Sequence, residues 1–181
     1  MKTVLAAGVA AAALVSAASA DVTVTFTNQT WTGFNFSDLT TAFGGFTGTL
    51  TGVSVNATLD ASVSFTYADD LCVYVDALPL STGGLLQVGG FSSLTALQRL
   101  SWANGNDDLP GTTVIDSKTV NAIVFTGTSA DATIWLGNGY GAAGTSGTWT
   151  GSITLIGVDA VPAPGAIALL GLAGLAGRRR R

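Results

Sequence analysis

Alternation of apolar and polar residues with a period of two constrains this chain more than any other feature. From Val53 to Asp60 the odd positions Val53, Val55, Ala57 and Leu59 are apolar, and the even positions Ser54, Asn56, Thr58 and Asp60 are polar. Successive side chains of a strand point to opposite faces, so such a stretch buries one face of a sheet and wets the other. The same phase runs through Val63, Phe65 and Tyr67, with Ser62, Ser64 and Thr66 opposite, and Leu71, Val73 and Val75 follow. Residues 22–26, 122–125, 132–136 and 149–158 read as further strands. Turn-forming clusters separate them: Gly44-Gly45, Gly83-Gly84, Gly89-Gly90, residues 104–108 and residues 137–147. No segment carries a helical stripe, although residues 92–100 have room for one or two helical turns. About eight or nine short strands predict an all-β fold, a single antiparallel β-sandwich or jelly roll. Frequent threonine agrees, because its branched Cβ suits the pleat.

The 181 residues suffice for one domain of ordinary size. Only 10% are charged, 48% are hydrophobic and the mean hydropathy is +0.50, but the long apolar runs sit at the two ends. Residues 1–20 read as a signal peptide: Lys2, an apolar run over 4–15, then Ala18-Ser19-Ala20, which places the signal-peptidase cut before Asp21. The segment lacks the polar face of an amphipathic helix. At the other end Val161-Pro162-Ala163-Pro164 breaks any preceding strand. An apolar stretch over 165–177 follows, then Arg178, Arg179, Arg180 and Arg181. That stretch is shorter than the roughly 20 residues of a comfortable span. Its leucines and alanines still make it an insertable transmembrane helix, and the arginines act as a stop-transfer cluster held on the cytoplasmic side. A charged end excludes a GPI signal. An arginine arm for nucleic acid is the competing reading, and an exported chain meets none. The expected organisation is therefore a signal helix over 1–20, a β-sandwich domain over 21–160, and a tail over 161–181.

This tripartite tail resembles the PEP-CTERM sorting signal of bacterial exported proteins. Val161, Pro162 and Pro164 match its Val-Pro-Glu-Pro-like motif, whereas Ala163 stands where glutamate is usual. The resemblance implies transient anchoring in the inner membrane and cleavage near residues 161–164 by an exosortase-type protease. Release to the cell surface or an extracellular, exopolysaccharide-containing matrix would follow. Without cleavage the protein would remain a tethered surface domain. The body is also similar, at fewer positions, to the P domain that accompanies subtilisin-like convertases. The matches are Phe65 to Leu71 leading into Val73 and Val75, then Gly83-Gly84 before Leu85, and Gly147-Thr148-Trp149 before Ile153 and Leu155. That similarity implies a galactose-binding-like jelly roll. The family's Pro-x-Gly-Thr turn is not reproduced, since Pro79 is separated from Gly83.

Composition removes most chemistry. There is no histidine, and all 11 acidic residues are aspartate, so neither a Ser-His-Asp triad nor a Cys/His zinc site can be built. Within residues 21–160 the cations are Arg99 and Lys118 alone against those 11 aspartates, a net charge of −9. Nucleic acid and anionic lipid are therefore excluded as partners, and a divalent cation is the one ion the body invites. Asp69 and Asp70 can supply carboxylates to Ca²⁺, or simply form a solvated turn. Asn104, Asn106 and Asp108 place oxygen ligands at alternate positions without the remaining features of an EF-hand, and an ordinary turn is the alternative. No cofactor is otherwise expected. Trp135, Asn138 and Tyr140 form the best glycan-binding candidate, an aromatic pair beside a hydrogen-bonding amide. Trp31, Trp102 and Trp149, with Tyr67 and Tyr74, belong to the same carbohydrate-binding possibility, and core packing is the favoured reading for most of the tryptophans. Cys72 is the sole cysteine and reads as a small buried hydrophobe. An Asp-only enzyme would need a cleft with two convergent aspartates and a raised pKa. The expectation is a non-catalytic surface or matrix protein. A carbohydrate- or Ca²⁺-binding jelly-roll module and a permanently tethered structural protein are the alternatives.

Overall fold

The structure is a computed structural model that describes residues 21–91, 96–103 and 109–161. Ala18, Ala20, Asn104, Asn106, Asp108, Pro162, Ala163, Pro164 and Arg178 to Arg181 lie outside the described residues, as do both terminal helices expected from the sequence. The described residues form nine strands: β1 (Val22–Thr32), β2 (Phe36–Asp38), β3 (Phe46–Val63), β4 (Leu71–Val75), β5 (Gly84–Val88), β6 (Ala96–Leu100), β7 (Thr113–Thr126), β8 (Ile134–Asn138) and β9 (Ser146–Ala160). A four-stranded sheet in the order β1-β9-β3-β7 packs against a five-stranded sheet in the order β2-β8-β4-β5-β6. The fold is an all-β sandwich.

Alternation places the core between the sheets. Val53, Val55, Ala57 and Leu59 of β3, with Ile153 and Leu155 of the neighbouring β9, face Val73, Val75, Leu86 and Ile134 of the other sheet, all buried. Each large aliphatic side chain so covered contributes about 1.5–3 kcal/mol. The outer face of the four-stranded sheet is hydroxyl-rich. Thr23 and Thr154, Thr30 and Thr148, and Thr58 and Thr113 pair across strands at 2.9, 2.7 and 2.7 Å between hydroxyl oxygens.

Irregularities reset the alternation. β1 shifts register between Phe26 and Gln29, with Asn28 at φ 50, so that Trp31 enters the core. Its ring lies 5.7 Å from Phe26 and 5.8 Å from Trp149. A shift between Leu59 and Ala61 ends the odd-numbered inward phase of β3. The phase predicted to continue therefore stops: Val63 is 54% and Phe65 71% exposed.

Two further expectations are corrected. Residues 96–100 are a strand rather than helical turns, because half-buried and exposed side chains alternate with period two. That strand, β6, pairs with β5 in parallel, Leu86 opposite Gln98, so the five-stranded sheet is mixed and not wholly antiparallel. A short helix, α1 (Leu39–Phe43), follows β2, with the Asp38 carboxylate accepting the Thr41 N–H at 2.8 Å as its cap.

Candidate functional site

The chain crosses from β3 to β4 through residues 64–70, and this crossing carries the site. Ser64 and Phe65 both adopt left-handed backbone, φ 49 and 57, a conformation that costs a non-glycine residue about 1–2 kcal/mol. The bend throws the Phe65 ring outward. A 3-10 turn over Ala68–Asp70 follows. It is closed at both ends: the Tyr67 N–H donates to Asp70 Oδ2 at 2.8 Å, and the Asp70 N–H donates to the Tyr67 carbonyl at 3.1 Å.

Four successive carbonyls of this turn are fastened by four different segments. The Trp149 indole N–H donates to Ala68 O at 3.4 Å, and the Trp102 indole N–H donates to Leu71 O at 2.7 Å. Between them the Gly90 N–H reaches Asp69 O at 2.9 Å and the Gly139 N–H reaches Asp70 O at 2.8 Å. Glycine makes these approaches feasible. A Cβ on Gly89, at φ +76, would lie 2.1 Å from Leu71 O and 2.2 Å from Trp102 Nε1. One on Gly139 would lie 2.6 Å from Gly90 Cα and 2.9 Å from Cys72 Cβ. The turn is thus fastened on all sides by the surrounding chain.

Beside the turn opens a cavity of about 500 Å³, a size typical of small-molecule sites. Asp69 and Asp70 line it with Phe65 and Tyr67 from the crossing, Phe91 beyond β5, Arg99 of β6 and Tyr140 beyond β8. Phe91 meets Tyr140 edge to face, with ring centres 5.7 Å apart and planes at 80°. The Phe91 ring is nonetheless 69% exposed.

Burial pushes the Asp70 carboxyl up to about 7; the Tyr67 N–H opposes this and the Asp69 charge reinforces it. Cys72 lies fully buried next along the strand. Burial first, then the Asp70 charge, drives its thiol far above the ordinary range, against a smaller opposing effect of Arg99. It offers no nucleophile.

The sequence-predicted candidates redistribute. Asp69 and Asp70, read as metal ligands, share the cavity with Tyr140, read as a glycan contact. The trio Trp135, Asn138 and Tyr140 does not form one patch. Trp135 is half-buried at the other end of β8, its indole N–H donating to Asp76 O at 2.9 Å. Asn138 is fully buried; its Oδ1 accepts the Tyr140 N–H at 3.0 Å, and its Nδ2 has no hydrogen-bond partner among the described residues. Trp31, Trp102, Trp149 and Cys72 are buried, as expected. Among the described residues no three His, Cys, Asp or Glu side chains converge to hold a metal.

Nothing in the sequence marks Phe91 or Arg99 as a site residue, and Phe65 and Tyr67 fit the alternation of a strand, although Tyr67 is also one of the aromatics of the carbohydrate-binding possibility. The glycine pair directly before Phe91, and one of only two cations in an acidic body, are the available signals. The cleft has its raised carboxyl. Consecutive residues of a 3-10 turn, however, project roughly 120° apart, unlike a glycosidase pair facing across one bond. No protein-family model, curated protein or solved structure matches the chain.

Proposed function

We propose that the chain is an exported bacterial surface protein whose sandwich presents a recognition pocket away from its point of attachment. It acts by binding, without catalysis. In this reading signal peptidase cuts after Ala20, and the apolar tail with Arg178 to Arg181 holds the chain in the inner membrane as a transmembrane helix. An exosortase-type protease then cuts at Val161, Pro162, Ala163 and Pro164. The body is of the jelly-roll kind.

One observation carries the reading: the pocket and both chain connections lie at opposite ends of the sandwich. Val22 pairs with Leu155, Asp21 Oδ1 accepts the Gly157 N–H at 3.0 Å, and the Val161 N–H donates to Gly45 O at 3.0 Å. These contacts cluster where β9 ends. The pocket sits where β9 begins, since Val63, just before the crossing, pairs with Ser146. The 15 residues of β9 separate the two ends by roughly 50 Å of strand at about 3.3 Å per residue. A domain held by its tail turns such a pocket outward.

Intact mass and fractionation of the protein from its own host test this. The expected species runs from Asp21 to about Pro164 and is found at the surface or in the medium. A membrane species still ending at Arg181 would replace the sorting step with permanent tethering, the reading favoured by Ala163 in place of glutamate. A cytoplasmic species retaining Met1 would overturn export altogether.

A further inference from the structure

The cavity's walls also define what fits it, on the reading that it is a binding site. We infer that it takes a neutral saccharide, whose apolar ring face stacks on the exposed aromatic rim and whose hydroxyls bridge Asp69 and Arg99.

Three observations converge on that class. The rim is aromatic on several sides, with Phe65 71% and Phe91 69% exposed and Tyr140 set edge-on to Phe91. Sugar rings present C–H faces to such surfaces, and exposed aromatic rings are costly unless something covers them. The polar lining offers both hydrogen-bonding senses: Asp69 accepts only, Arg99 donates only. A hydroxyl both donates and accepts, so a vicinal diol is matched to a lining that offers the two senses side by side. The charges, finally, cancel. Asp69 and Arg99 bring opposite formal charges to the lining, and Asp70 is buried to 3% exposure with its carboxyl engaged by the Tyr67 N–H. A quaternary ammonium would be drawn to the aromatic rim, but Arg99 opposes it. An anionic sugar would be repelled by a body of net charge −9.

The assignment carries a pH signature. A ligand that covers the pocket strips remaining water from Asp70, and this penalises the ionised form further. A neutral ligand therefore binds the protonated protein better and weakens as pH rises through about 7. A cationic ligand would do the opposite. The charged and titratable groups around Asp70 are Asp69 on the same turn, Tyr67 before it, Arg99 on β6, Tyr140 beyond β8 and Cys72 on β4.

The test is NMR titration of the full chain, purified in detergent, with cellobiose, maltose and lactose at pH 6 and pH 8. Digalacturonate, tetramethylammonium and a library of uncharged aromatic fragments serve as contrasts. Expected are shifts of the Phe91 and Tyr140 resonances with at least one neutral disaccharide, severalfold weaker at pH 8 than at pH 6. F91A loses at least tenfold in affinity while keeping the melting temperature, and R99A loses at least tenfold in affinity. Shifts only with digalacturonate or tetramethylammonium, or affinity that rises with pH, overturn the saccharide assignment. Fragment shifts at Phe91 and Tyr140 without any disaccharide shift overturn it too, while leaving the recognition pocket standing. No shift with any probe removes both.

Discussion

Asp70 is the residue whose environment most departs from water. Its carboxyl titrates near 7 in the folded chain and near 3.8 when unfolded. Between those values the native state holds the extra proton, so stability declines as pH rises from about 4 to about 7. At higher pH the penalty is at most about 4 kcal/mol, at 1.36 kcal/mol per pKa unit. Asp70→Asn keeps an acceptor for the Tyr67 N–H and removes the charge. Melting curves between pH 4 and pH 8 should show the variant more stable than the wild type at pH 8, with the gap closing towards pH 4. An equal gap at both ends would mean that the substitution acts through packing instead. Asp116 has the opposite sign. Slight burial raises its carboxyl, but bonds from Lys118, the Ser117 N–H and the Ala103 N–H outweigh that and hold it low, so its contribution is lost as pH falls through the acid range. Gly89 shows a different kind of sensitivity. Gly89→Ala drives a methyl into the Trp102–Leu71 hydrogen bond at a left-handed backbone position. Chemical denaturation should report a loss of about 2–4 kcal/mol.

At the scale of elements, the long strands were legible and the short ones were not. Val53 to Leu59 announced β3 because one face of it is buried, and the burial obeys a single phase. The bulges at Phe26–Gln29 and Leu59–Ala61 were invisible, since nothing in a string of residues marks where one is left out of a ladder. Phe65 and Tyr67 kept the alternating rhythm by coincidence and left the sheet. β6 was obscured because it is short: five residues, Ala96-Leu97-Gln98-Arg99-Leu100, fit a helical turn as well as a strand. The site was half legible. Asp69, Asp70 and Tyr140 carried recognisable chemistry, but which of them meet depends on Gly90 and Gly139 closing over β4, a tertiary fact. Among the described residues β6 shares a backbone ladder with β5 alone, leaves Leu97 81% exposed, and is joined to β7 by the Asn121 N–H donated to Gln98 Oε1 at 2.7 Å. Hydrogen exchange should find the amides of β6 opening well before those of β3 and β9. Equal protection across all three would show that β6 unfolds only with the whole sandwich.

Over the whole molecule, a body with a net charge of −9 works against its own compactness, and added salt should relieve this. The melting temperature is expected to rise between about 10 mM and about 500 mM NaCl; a fall would mean that local pairs such as Lys118–Asp116, 2.8 Å apart, outweigh the global repulsion. A second expectation concerns connectivity. β9 is the last strand in chain order, yet it lies between β1 and β3, and β1 hydrogen-bonds to nothing else in its sheet. A chain ending before Ser146 should therefore show no cooperative melt by circular dichroism, however intact β4 and β5 are in sequence. That placement also sets a clock. In the export reading, where the chain threads a membrane pore from its N-terminus, the first strand must wait for the final one to emerge before it finds a neighbour in its sheet. The order of threading and folding would then follow from the position of one strand in the gene.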